Sequence, residues 1–150
     1  MARNFTDCKS LDRFPVVKNG RVWYPLRGYE FVRPSRGGRL VQKRDGKHTC
    51  WVRRKESGRF LRVHPRAYTP GGLHYWRVCV RVSGDSVHLS HARIAAFSLL
   101  APRRKMAESV VHHYHKQKLL WNGKRIDVCR ENTSRDFVWM SRAEHQALHA

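Results

Sequence analysis

Turn-forming residues break the first two thirds of this chain into short pieces, and that punctuation constrains its fold more than any other feature. Asn19-Gly20, Gly37-Gly38, Asp45-Gly46, Ser57-Gly58, Pro70-Gly71-Gly72 and Gly84-Asp85 recur between about residues 15 and 90. Between them lie β-favouring runs such as Arg21-Val22-Trp23-Tyr24 and Thr49-Cys50-Trp51-Val52. No long helix fits such spacing, so it predicts short strands and hairpins. The run Trp76-Arg77-Val78-Cys79-Val80-Arg81-Val82 alternates, placing Trp76, Val78, Val80 and Val82 on one face. Ser83-Gly84-Asp85 turns the chain, and Ser86-Val87-His88-Leu89 returns as its partner. Ser90 is a suitable N-cap for a helix carrying Ile94, Phe97 and Leu100 at helical spacing, which Pro102 ends. This hairpin and helix are expected to form the main core.

Charge narrows the function classes. Thirty-one Lys and Arg against eleven Asp and Glu give the 150 residues a formal net charge of +20. Self-repulsion of that size opposes compaction, and a dense polyanion relieves it. Nucleic acid is the leading partner, because phosphate contacts release condensed counterions. A membrane partner is not expected, since there is no long apolar run and no strongly amphipathic basic helix. From Arg21 to Arg66 fourteen cations face three acids, with Trp23, Tyr24, Tyr29, Phe31, Trp51 and Phe60 interleaved. Phosphate contact is expected from Arg21, Arg39, Lys43, Arg44, Arg53, Arg54 and Lys55, and from Arg103 and Arg104 of the basic connection Arg103-Arg104-Lys105. The start of the chain lacks the apolar run of a signal peptide. Cys8, Cys50, Cys79 and Cys129 form no close pair, so reduced thiols in a cytoplasm are the expected state.

The last forty residues concentrate chemistry. Glu108-Ser109-Val110-Val111-His112-His113-Tyr114-His115 reads as a short strand ending in imidazoles. Trp121-Asn122-Gly123-Lys124 is a turn, Arg125 to Cys129 a short strand or extended loop, and Asp136 to Met140 a second β-like run. Ser141-Arg142-Ala143-Glu144 has the form of a capping box, so a helix should start there and run to the end of the chain. Within it His145 and His149 stand four residues apart and project from one face. Two imidazoles so spaced are a common divalent-metal pair, although exposed helix histidines are common as well.

Together these segments resemble the HNH (ββα-metal, His-Me finger) endonuclease family over about residues 110–149. The likeness is carried by His112-His113, by Asp136-Phe137-Val138-Trp139-Met140-Ser141 beside the family's Asn-Leu-apolar-apolar-apolar-Ser, and by His145-x-x-x-His149. Upstream, Ser90-His91-Ala92-Arg93-Ile94-Ala95-Ala96-Phe97 is similar to a helix that precedes the His pair in phage-type homing endonucleases. Two features depart from the pattern. Asp136 stands at the middle Asn position, with Asn132 the other candidate, and the loop lacks the Asp-Gly-Asn run that often follows the first His pair.

The resemblance implies an α+β fold: a basic, hairpin-rich region over 1–101 with a helix near 90–100, then a ββα-metal module over 102–150. It implies a DNA endonuclease hydrolysing phosphodiester bonds. His113 is then the general base, with Asp136 orienting the loop, while His112 and His145 hold one divalent metal, His149 is a further ligand or a phosphate contact, and His115 competes for either role. An imidazole titrates at roughly 6.5 and is thus available as a base near neutral pH. Magnesium or manganese is the expected ion, with zinc or nickel suited to the His-rich ligands. The expected partner is double-stranded DNA. Two other readings stay open: a non-catalytic DNA- or RNA-binding protein, and a structural zinc module built on Cys129, His145 and His149.

Overall fold

A computed structural model describes residues 5–18, 20, 22–34, 41–42, 48–67, 72–100, 109–121, 123–129 and 135–148. Among them the chain forms thirteen strands and two helices. In order these are β1 (Phe5–Ser10), β2 (Pro15–Lys18), β3 (Val22–Pro25), β4 (Tyr29–Pro34), β5 (Val41–Gln42), β6 (His48–Arg54), β7 (Phe60–Ala67), β8 (His74–Val82), β9 (Asp85–Ser90) and α1 (His91–Leu99). There follow β10 (Ser109–His113), β11 (Lys116–Trp121), β12 (Lys124–Cys129), β13 (Phe137–Ser141) and α2 (Arg142–Leu148).

Nine strands join in one mixed sheet. Its path runs β1-β4-β6-β7-β8-β12-β11, with β5 beside β6 and β9 beside β8. Neighbours are antiparallel except where β12 meets β8 in parallel, Val128 opposite His74. Two further pairs stand apart: β2 with β3, and β10 with β13.

Local chemistry explains the best-formed part. In β8, Trp76, Val78, Val80 and Val82 are buried on one face, while Cys79 and Arg81 are exposed on the other. The β8–β9 hairpin turns through Ser83 (φ 49°) and Gly84 (φ 84°). Two successive positive φ values give the backbone twist that a two-residue hairpin needs, and glycine at the second lowers its cost. Ser90 Oγ accepts from the Arg93 N–H at 3.4 Å and caps α1. The helix then lays Ile94, Ala95 and Ala96 on the apolar sheet face, in a core with Phe31, Val52, Val63 and Trp76. Buried hydrophobic side chains of this kind supply most of the stabilisation.

The fold departs from the α+β arrangement with a C-terminal ββα-metal module. The chain is predominantly β, and the stretch expected to fold as that module is divided. Its strands β11 and β12 belong to the nine-stranded sheet, while β10, β13 and α2 lie outside it. The physical reason is visible in β11. Lys116 to Trp121 alternates exposed and half-buried, as a one-faced strand does, and Gly123 (φ 77°) returns the chain as β12. Val128 and Cys129 of β12 are fully buried, and the Trp76 indole N–H donates to the Cys129 carbonyl at 3.0 Å. Burying that apolar end against β8 fixes the hairpin to the main sheet.

Candidate active site

Strands β10 and β13 pair antiparallel, Ser109 opposite Ser141 and His113 opposite Phe137. The pairing continues where the Tyr114 N–H donates to the Asp136 carbonyl at 2.9 Å. Helix α2 follows β13 directly and begins at a reciprocal cap. The Glu144 N–H donates to Ser141 Oγ and the Ser141 N–H donates to Glu144 Oε1, both at 3.1 Å. No residue of α2 is buried, so this cap weighs heavily in holding the helix. Ser141→Ala should cost about 1 kcal/mol, read as a lowered urea midpoint at unchanged m-value. An unmoved midpoint would show that the cap contributes nothing.

Alternation along β10 separates the histidine doublet. The His112 ring lies 5.3 Å from Tyr114 and 5.6 Å from His145, between centroids. The His113 ring lies 5.6 Å from Tyr75 of β8 and 6.4 Å from Phe137. One imidazole thus meets the helix and the other meets the large sheet. Two ring nitrogens bound about 2 Å from one ion place the ring centroids roughly 5–6 Å apart. The His112–His145 spacing fits that requirement. Its nitrogen donors suit zinc, nickel or manganese. No group of three or more His, Cys, Asp or Glu among the described residues is placed to hold a metal. His149, the expected third ligand, lies outside the described residues.

Asp136 is buried immediately before β13, at 2% exposure. Asp127 is elsewhere, in the β11–β12 hairpin, 2.8 Å from Lys118 and 3.8 Å from Lys116. The Lys118 hydrogen bond holds its carboxyl below the ordinary value. Cys129 is buried in β12. Asn132 is outside the described residues, as are Arg21, Arg39, Lys43, Arg44, Arg103 and Arg104.

The cluster at residues 53–55 is engaged within the protein. Arg53 Nε donates to Glu30 Oε1 at 2.6 Å, and its guanidinium stands 5.7 Å over Phe60. Arg54 stacks 5.4 Å over the Tyr29 ring. Lys55 Nζ donates to Ser10 Oγ at 2.7 Å and to Asp12 Oδ2 at 3.1 Å.

A cleft of about 740 Å³ opens between the end of the β8–β9 hairpin, α1, β10 and α2. Arg66, Arg77, Arg93 and Arg142 line it with His113 and His145, and no Asp or Glu lines it among the described residues. Arg93 is held rigidly: its Nη1 donates to the Ser109 carbonyl at 2.6 Å, and its guanidinium stands 5.3 Å over Trp139. Burial first, then the Arg142 charge, lowers its pKa from the usual guanidinium value. Four guanidinium groups facing one space, with no carboxylate lining it among the described residues, create a field that favours an anion.

Of these four, Arg66 ends the cation-rich stretch expected to meet phosphate, while Arg77, Arg93 and Arg142 fall outside the expected set. The signal available in the sequence was period-two spacing of cations: Arg62-x-His64-x-Arg66, and Arg77-x-Cys79-x-Arg81 opposite the apolar face of β8. Comparison with protein-family models, with curated proteins and with solved structures finds no match. No helix among the described residues is long and apolar enough to cross a membrane.

Proposed function

We propose that this protein is a metal-dependent endonuclease that hydrolyses phosphodiester bonds in double-stranded DNA. The observation that carries the reading is the cleft in which His113 and His145 stand among four arginines, with no lining carboxylate among the described residues. A phosphodiester is the anion that needs both kinds of group. Guanidinium groups hold its non-bridging oxygens and offset the charge that builds in the transition state. An imidazole removes the proton of the attacking water. His113 takes that role, because its ring is in the cleft on the β8 side, beside Tyr75. Arg93, fixed by Ser109 and Trp139, and Arg142 orient the phosphate.

His112 and His145 would hold the divalent ion, with His149 as the further ligand; bound there, it supplies positive charge for the leaving oxygen. Magnesium or manganese suits phosphate oxygens, and zinc or nickel suits the imidazoles. The similarity of His112-His113, Asp136 to Ser141 and His145-x-x-x-His149 to HNH nucleases supports the same reaction from the residues alone. A reducing cytoplasm suits the unbridged Cys8, Cys79 and Cys129.

Purified protein incubated with supercoiled plasmid should nick it on addition of magnesium or manganese and stop on chelation. His112→Ala/His145→Ala should lose the reaction and require more metal for any residual rate. Tight binding with intact plasmid under every metal would overturn the nuclease and leave a nucleic-acid binder. Unfolding by chelator alone would point to a structural zinc site.

A further inference from the structure

The outer face of the large sheet carries a row of cations that leads into the cleft. Cross-strand partners share a face, and His64 of β7 lies opposite Arg77 of β8, as Arg66 lies opposite Tyr75. On the other side of β8, Cys79 lies opposite His88 of β9, and Arg77 opposite Ser90. Alternation adds Arg62, next to His64 on the same face. Arg62, His64, Arg66 and His88 are exposed, while the intervening Val63, Trp76 and Val78 are buried on the opposite face. Among the described residues, no carboxylate pairs with Arg62, Arg66 or Arg77. Arg66, Arg77 and His88 also line the cleft that holds His113, so the row and the cleft are continuous. Desolvation, and then the charges of Arg77, Arg66 and His64, lower the pKa of His88, a sign that these groups share one positive field.

We propose that the β7–β8–β9 face is the track that carries the backbone of double-stranded DNA to the candidate active site, with Arg62, Arg66 and Arg77 contacting successive phosphates. The proposal rests on the nuclease reading for its substrate and on charge complementarity for its surface. Of the cations singled out by number in the sequence for phosphate contact, the structure describes Arg53, Arg54 and Lys55. Those three are committed to Glu30 with Phe60, to Tyr29, and to Asp12 with Ser10. A cation already paired gains less from phosphate, because it must give up a partner to reach one. Among the described residues, Arg62, Arg66 and Arg77 have no carboxylate partner to give up.

The test measures binding of the full chain to a labelled DNA duplex by fluorescence anisotropy, with chelator present so that no cleavage intervenes. Salt is titrated for wild type, for Arg62→Ala/Arg66→Ala/Arg77→Ala, for the triple Lys variant at those positions, and for Arg53→Ala/Arg54→Ala/Lys55→Ala. Loss of three phosphate contacts should flatten the log–log salt slope by about 2.7, and should weaken low-salt affinity by roughly two orders of magnitude. The Lys triple should keep most of the wild-type slope, which separates charge from fold. The 53–55 triple should change the slope less than the β7–β8 triple. An unchanged slope in the β7–β8 Ala triple would overturn the proposal, even if wild type nicks plasmid. A flattened slope with a wild type that never cleaves would sustain the surface and remove the nuclease. Equal affinity of wild type for a duplex RNA of the same length would overturn the assignment to DNA.

Discussion

Replacing His113 with alanine should reduce metal-dependent plasmid nicking by about 10²–10⁴-fold while leaving duplex affinity within a factor of a few. On the proposed reading the two effects separate because His113 would contribute a proton acceptor, whereas affinity for phosphate would come from Arg66, Arg77, Arg93 and Arg142, which line the cleft. The ring is only half-buried and meets Tyr75 and Phe137 at its edges, so its loss should leave the fold intact. Initial nicking rates at saturating protein, beside anisotropy with chelator, read both quantities. Cleavage that persists in His113→Ala and disappears in His115→Ala would move the base to His115, which is exposed and does not line the cleft. Parallel loss of binding and cleavage would make His113 a phosphate contact instead.

The largest stability effect is expected at Trp76. It is 1% exposed, packs in the main core, and donates its indole N–H to the Cys129 carbonyl at 3.0 Å. Truncation to alanine should cost about 3–5 kcal/mol from lost burial and the cavity left behind. The Cys129 carbonyl would also lose its indole donor, a further cost of about 1–3 kcal/mol if water cannot reach it. Against a total of roughly 5–15 kcal/mol for a domain, that is enough to unfold much of the population at 37 °C. Trp76→Phe separates the parts: it keeps most of the apolar volume and removes the donor, so its cost should be nearer the hydrogen-bond figure. Urea unfolding of both variants checks the order. A cost below that of Ser141→Ala for Trp76→Ala would show that β8 and β12 are joined by other contacts. The β11–β12 hairpin should loosen first in either variant, because Val128 opposite His74 is the register pair that ties β12 to β8. Amide exchange along β12 reads that directly.

What could be read in advance was written in short-range chemistry. The alternation of Trp76 to Val82, the tight turn at Ser83-Gly84 and the Ser90 cap each involve residues within a few positions of one another. The reciprocal cap of Ser141 and Glu144 was legible for the same reason. Strand β11 went unread because its exposed face sets Leu120 beside Lys116 and Lys118, while its half-buried face sets Gln117 beside Leu119 and Trp121. Leu120 is 58% exposed, which blurs the pattern that would mark a one-faced strand.

By itself the sequence determined the sign and size of the charge, the turns at Ser57-Gly58 and Ser83-Gly84, both helix starts and the set of imidazoles available for chemistry. These depend on covalent composition, on backbone preference and on contacts between near neighbours. Only the tertiary structure decided which strands pair across the chain, so that β11 and β12 enter the large sheet and leave β10, β13 and α2 outside it. The same long-range pairing brings His112 to His145, and gathers Arg66, Arg77, Arg93 and Arg142 from four elements around one cleft. Such groupings follow from burying the most apolar surface at the least cost in chain entropy, a competition among distant segments that no local spacing records.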